Sequence, residues 1–218
     1  RPTHARSSAA SDVYKRQIAI DGPAASGKGT VARKLAKIFN LPHLDSGQLY
    51  RHIAYQAIKS EINLNNKSAL LELTNKIAFD ISEIEDLRND EISTVASIIS
   101  QYSEIREQLI EYQRDFASNG AVVDGRDIGT IIFPNADYKF YITASLDQRT
   151  ERRYLQLKKD SAEIDRNNIK NDINNRDLRD INRKIAPLKK AEDAIEIDTT
   201  EMKIDDVIDF IVKYIHKG

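Results

Sequence analysis

IAIDGPAASGKGT, residues 18–30, decides the fold. A short apolar run, Ile18-Ala19-Ile20, leads into Gly22-x-x-x-x-Gly27-Lys28, the spacing of a phosphate-cradling P-loop. Glycines let the backbone close around an anion with successive N–H groups turned toward it. Lys28 adds a point charge for the β- and γ-phosphates. The segment that follows, 31–40, reads as a helix, whose N-terminus favours negative charge. A buried strand, a glycine-rich turn and a helix in that order leave little room for a chance Gly-rich turn. One position departs from the common pattern. A hydroxyl residue usually follows the lysine directly; here Gly29 stands there and Thr30 comes next.

Outward from this motif, short apolar runs at 17–21, 42–45, 121–124, 138–143 and 194–198 read as strands. Helical patterns at 28–40, 48–59, 147–158 and 204–216 alternate with them. That alternation predicts an α/β fold in three layers, a parallel sheet flanked by helices, with ligands bound at the carboxyl ends of the strands. Two stretches break it. Residues 60–119 carry helical patterns without a strong strand and read as an inserted subdomain. Residues 160–187 are highly charged and poor in large apolar side chains, and read as a mobile, mostly helical lid. The core then comprises 18–59, 120–159 and 188–218.

Composition narrows the function. The 218 residues carry a formal net charge of −1 and a pI near 6.5, which gives no footing for nucleic acid. There is no cysteine, so neither disulfides nor a thiolate metal site can form. The histidines, His4, His43, His52 and His216, show no metal-ligand spacing. No apolar run approaches the ~20 residues of a membrane span. The expectation is a soluble cytoplasmic monomer acting on a small molecule, with no nucleic-acid or membrane partner. Residues 1–17 are polar and include DVYKRQ (12–17), which the adapter sequence GATGTGTATAAGAGACAG encodes; they read as a non-native tail.

Three further motifs lie after strand ends or in the charged stretch. In DGRDIGT (124–130), Asp124 closes an apolar run where a Walker B acid would organise Mg²⁺ or its waters, although Asp-Gly is also a common turn. Arg126 has the planar fork that clamps a phosphate; Asp127 beside it could read a nucleotide base, or could only orient Arg126 by a salt bridge. In LDSGQLYR (44–51), Ser46 reads in isolation as a helix N-cap and Arg51 as a solvated charge, but the strand end before them favours a ligand. In RDLRDINRKIAPL (176–188), Arg176, Arg179 and Arg183 share one helix face. Asp177 and Asp180 could pair with them as a plain salt-bridged helix; alternatively the arginines reach a nucleotide when a lid closes.

Taken in order, these motifs resemble the bacterial cytidylate kinase ((d)CMP kinase) family of P-loop nucleoside-monophosphate kinases, from residue 18 to about 213. The G-K-G-T form also resembles such kinases more than GTPases. The resemblance implies a P-loop nucleoside-monophosphate kinase fold with an inserted monophosphate-binding subdomain and a lid, ATP and Mg²⁺ as cofactors, and CMP or dCMP as acceptor. Gly22, Pro23, Ala24, Ala25, Ser26, Gly27, Lys28, Gly29 and Thr30 would hold ATP, with Thr30 and Asp124 at the metal. Arg51 and Arg126 would grip the CMP phosphate, with Ser46 nearby. Ser97, Arg106 and Asp127 would address the cytosine, with Arg183 close by, and Arg176 and Asp180 the sugar. Lys28, Arg126, Arg176 and Arg183 would carry the catalysis. Many bacterial members have a β-hairpin in the insert; here FDISEIEDLRND (79–90) reads as a truncated turn or two-strand remnant. Rival readings are another acceptor (AMP, UMP or shikimate) and a P-loop ATPase switch.

Overall fold

All five predicted strands form, as β1 (Gln17–Asp21), β2 (His43–Asp45), β3 (Ala121–Gly125), β4 (Tyr138–Thr143) and β5 (Ile195–Asp198). The computed structural model describes residues 16–77, 79, 87, 90–158 and 164–217. The strands make one parallel sheet in the order β2-β3-β1-β4-β5. Two edges are trimmed relative to the sequence reading. Pro42 has no N–H to give the ladder, though its carbonyl still accepts from Val122 at 2.9 Å. Ala194 instead closes a turn onto the Ala191 carbonyl.

Both faces of the sheet are buried, as a parallel sheet requires. Side chains alternate along each strand. Ile18, Ile20, Val122, Phe140, Ile142 and Ile197 pack on one face against α1 (Lys28–Phe39) and α8 (Ile204–Lys217). Ala19, Leu44, Ala121 and Val123 pack on the other, against α2 (Ser46–Lys59), α3 (Lys67–Lys76), α4 (Asp90–Ile99) and α5 (Ser103–Phe116). A single π turn, Ile128–Ile132, follows β3. The chain is thus a three-layer α/β fold, as expected.

Helices α3, α4 and α5 occupy the stretch read as an insert, and no strand appears there among the described residues. The hairpin expectation for 79–90 falls largely on 80–86 and 88–89, outside the described residues. In the charged stretch, α7 (Arg166–Asn182) confirms the helix. It packs on α6 (Leu146–Leu157) and the P-loop through Ala24, Ile169 and Ile173. The tail boundary needs correction. Gln17 pairs with Ala121 in the sheet, its N–H donates to Asp137 at 2.7 Å, and the Arg16 carbonyl accepts from Ala121. The fold therefore begins by residue 16; residues 1–15 lie outside those described. No helix among the described residues is long and apolar enough to cross a membrane.

Candidate active site

The P-loop joins β1 to α1 at the sheet's carboxyl edge. A side chain at Gly22 would run into the Ile142 carbonyl. Gly27 caps α1 with φ 92°, a left-handed conformation that glycine adopts without steric cost. Lys28 opens the helix, and its Nζ donates to the Pro23 carbonyl at 3.2 Å. Burial, and next the Arg126 charge, pull the Lys28 pKa down to about 7, with Asp124 and Asp45 opposing. Ser26 Oγ is buried with no hydrogen-bond partner among the described residues. Arg152 of α6 holds the loop from behind, donating to the Ser26 carbonyl at 3.1 Å and to Thr199 Oγ1 at 3.0 Å.

At the ends of β2 and β3 the sequence reading is refined. The cap of α2 is Asp45, whose carboxylate accepts from the Gly47 N–H at 3.0 Å. Ser46 is therefore the first helical residue, and its hydroxyl lies where a Cβ on Gly125 would fall. Asp45 also pairs with Arg51 at 2.8 Å, so Arg51 is not a solvated charge. Asp124 is buried and accepts from His43 Nε2 at 2.7 Å. A Cβ at Gly29 would stand 3.5 Å from Asp124 Oδ2, so this acid lies directly over the loop. Asp124 and Thr30 offer hard oxygen donors that suit Mg²⁺. Among the described residues no group of three His, Cys, Asp or Glu could hold a metal alone. The pair fits an ion whose remaining ligands are phosphate oxygens and water.

The arginines close the opposite side. Arg126 Nε donates to Asp180 at 2.8 Å. Asp127 pairs with Arg106 through one oxygen and with Arg183, at 3.2 Å, through the other. Arg106 also donates to the Ser100 carbonyl at 3.2 Å. Arg179 Nε donates to Ser97 Oγ at 3.3 Å. Burial works against Arg126's charge, but Asp180, Asp177 and Asp45 outweigh it and hold its pKa above the usual value. Burial and the neighbouring Arg126 bring Arg176 down to about 10, still a cation at neutral pH. The Asp180 carboxyl stays below its usual range because Arg126, Arg176 and Arg183 outweigh its burial. The Nε atoms of Arg51 and Arg176 are buried without a hydrogen-bond partner among the described residues. P-loop residues 24–30 and Arg51, Arg106, Arg126, Arg176 and Arg183 line one cavity of about 430 Å³; Arg179 stands outside its lining.

A sequence model of the family described as cytidylate kinase matches residues 18–217. The chain belongs to the cytidylate kinase family. A cytidylate kinase of Clostridium tetani is 43% identical over 211 residues, spanning 91% of this chain and 92% of its own. One of Bartonella tribocorum is 44% identical over 190 residues, spanning 86% and 88%. A crystal structure of an uncharacterized protein from Eubacterium ventriosum shares the fold, with TM-score 0.54 at 18% identity over 93% of this chain and 99% of that one.

Of the site residues that the resemblance assigns, Gly22 and Pro23 stand outside the cavity lining and the rest line it; Arg179, read on the same helix face as Arg176 and Arg183, does not. Three readings change. The Ala24 N–H donates to Asp177 at 2.9 Å and so does not face open cavity. Asp177 and Asp180 do not pair along their own helix; their partners are Arg149 and Arg126. Asp127 orients Arg106 and Arg183, not its neighbour Arg126. Sequence reasoning passed over Asp45, Tyr50, Ser100, Arg152 and Arg153 in the lining. Asp45 and Tyr50 sit inside the quoted LDSGQLYR; Arg152 and Arg153 belong to the arginine-rich stretch 149–183, whose crowding points to anion handling without singling them out, and Ser100 follows no local signal. Asp21, also missed, is buried and accepts from the Ile128 and Gly129 N–H groups at 2.8 and 2.7 Å. Burial lifts its pKa to about 7 against those bonds.

Proposed function

We propose that the chain transfers the γ-phosphoryl group of ATP to a phosphate oxygen of CMP or dCMP, giving ADP and CDP or dCDP. The observation that carries this reading is one cavity lined by the P-loop lysine together with Arg51, Arg106, Arg126, Arg176 and Arg183. No protein nucleophile is required, because the acceptor is already an anionic oxygen. Catalysis is then positioning and charge neutralisation.

Residues 25–30 cradle the ATP phosphates, with 22–24 shaping the loop behind them, and Lys28 meets the β/γ charge. Thr30 and Asp124 would hold Mg²⁺, which supplies further charge neutralisation at the phosphates when bound. Arg51 and Arg126 take the acceptor phosphate beside Ser46. Their present partners, Asp45 and Asp180, hold both guanidinium groups in place before the phosphate arrives. Asp127, Arg106 and Ser97 meet the base, with Arg183 behind them. Asp180 lies at the sugar with Arg176, whose charge also acts on the transferring phosphoryl group together with Lys28. Asp127 has lone pairs beyond those used by Arg106 and Arg183, enough to accept from the cytosine amino group. Residues 60–119 act as the monophosphate-binding insert and 160–187 as the lid of a cytoplasmic monomer.

A coupled ADP-release assay with ATP, Mg²⁺ and single acceptors tests this. ADP release that requires CMP or dCMP is expected. Release that needs no acceptor would favour an ATPase switch, and preference for AMP, UMP or shikimate would favour another kinase.

A further inference from the structure

The bond between Asp177 and the P-loop links two regions that the motifs treat separately. Ala24 has both of its backbone polar groups held from outside the loop. Its N–H donates to Asp177 Oδ1 at 2.9 Å. Its carbonyl accepts from Arg149 Nη1 at 3.1 Å. Arg149 pairs with the other Asp177 oxygen and fixes its own root by donating from Nε to the Ala144 carbonyl at 3.0 Å. Both side chains are buried. A loop residue, an α6 arginine and an α7 aspartate thus form one closed unit.

The same face of α7 has a second anchor. Asp180 lies three residues on from Asp177 and binds Arg126 at the end of β3. Residues three apart lie on one face of a helix, so α7 is pinned at two points about 4.5 Å apart along its axis. Arg176, immediately before Asp177, has no such anchor at Nε, which is buried and unpartnered among the described residues. Its place in the cavity is therefore set by the helix that carries it.

We propose that Asp177, together with Arg149, is a positioning residue for phosphoryl transfer, locking α7 to the P-loop backbone so that Arg176 stands in register with Lys28. The inference rests on the function proposed above. A slide of α7 by one helical rise would move Arg176 by about 1.5 Å along the helix axis. A misplacement of about 1 Å can cost roughly 100-fold in rate. An asparagine at 177 keeps the shape and can still accept from Ala24, but loses the charge that holds Arg149.

The test is a double-mutant cycle on kcat and on the KM for ATP and CMP. It compares the parent chain, Arg176→Ala, Asp177→Asn and the double variant. Asp177→Asn should lower kcat roughly 10- to 100-fold with both KM values little changed. In the Arg176→Ala background the same substitution should change kcat by less than about twofold, because coupled residues are non-additive. A loss that recurs in full in that background would make Asp177 merely structural and overturn the proposal. So would an Asp177→Asn variant with parental kcat. If Asp177→Asn fails to fold, Arg149→Lys enters the same cycle, with the same expected and contradicting patterns. It keeps a cation beside Asp177 but loses the fork that also reaches Ala24. A parent chain that forms no CDP would sink the proposed function. A parent that forms CDP, with Asp177→Asn at parental kcat, would sink this inference alone.

Discussion

In the proposed reaction the donor side of the cavity is built from backbone and Lys28, with Arg152 holding the loop, and the acceptor side from arginines, four of them already matched with acids. Lys28 donates to a neutral carbonyl, and burial leaves its proton loosely held near pH 7. Arg51, Arg106, Arg126 and Arg183 instead rest on Asp45, Asp127 and Asp180. A buried lysine can shed its charge, whereas a guanidinium keeps it even when displaced downward. Arg176, at about 10, shows this. The acceptor half must therefore be neutralised in advance by carboxylates, and the donor half can wait for its ligand. One half is set by the fold, the other by the nucleotide.

The largest expected effect lies on the donor side. Lys28→Ala should cut phosphoryl transfer roughly 10²–10³-fold, the cost of losing one stabiliser of developing negative charge, with circular dichroism unchanged. Near-parental turnover would remove the lysine from the chemistry and dissolve the contrast.

On the acceptor side, Arg126→Lys keeps the charge but loses the fork that spans Asp180 and a phosphate. Charged hydrogen bonds contribute about 1.5–3 kcal/mol each, so kcat/KM for CMP should fall roughly 10–100-fold. ATP binding should move little. Equal acceptor kinetics would mean that Arg126 serves Asp180 alone.

Asp127→Asn sharpens the comparison within the acceptor half. The carboxylate accepts from the cytosine amino group but would face the uracil carbonyl acceptor against acceptor, a mismatch of about 1–3 kcal/mol, so the variant should narrow the CMP:UMP ratio of kcat/KM by roughly tenfold. Loss on both acceptors at an unchanged ratio would show that Asp127 only holds Arg106 and Arg183.

The smallest effect is a proton. ATP phosphates favour the ammonium form of Lys28, so nucleotide binding at pH 8 should take up close to a full proton. The affinity should weaken as pH rises through 7, because the protonated lysine is the binding form. Calorimetry at pH 8 in buffers of different ionisation enthalpy reads this directly. Absence of uptake, or the same uptake in Lys28→Ala, would contradict it.

The strands of the sheet and the P-loop were legible because their signals are local: an apolar run, a glycine turn, a helix; the strand order was not read from the sequence. The placement of charges at the strand ends was legible for the same reason. The partners of those charges were not. Asp177 and Asp180 offered partners three and four residues away on their own helix, yet their bonds run to Arg149 and Arg126, 28 and 54 residues distant. Helical spacing cannot reveal which acid a buried guanidinium will need. His43 gave no ligand pattern, and its role beside Asp124 comes from the β2–β3 register, which aligns Asp45 with Asp124. Ser46 lost the cap to Asp45 because the turn out of β2 tightens one residue earlier than the hydroxyl suggested.

Product analysis with competing acceptors tests the central claim most directly. The chain is incubated with ATP, Mg²⁺ and an equimolar mixture of CMP, dCMP, UMP and AMP, and the diphosphates are separated chromatographically. CDP and dCDP should form first and in excess, with ADP released in equal amount. Formation of UDP at least as fast as CDP, or ADP release with no matching pyrimidine diphosphate, would contradict an acceptor half built to receive cytidine nucleotides.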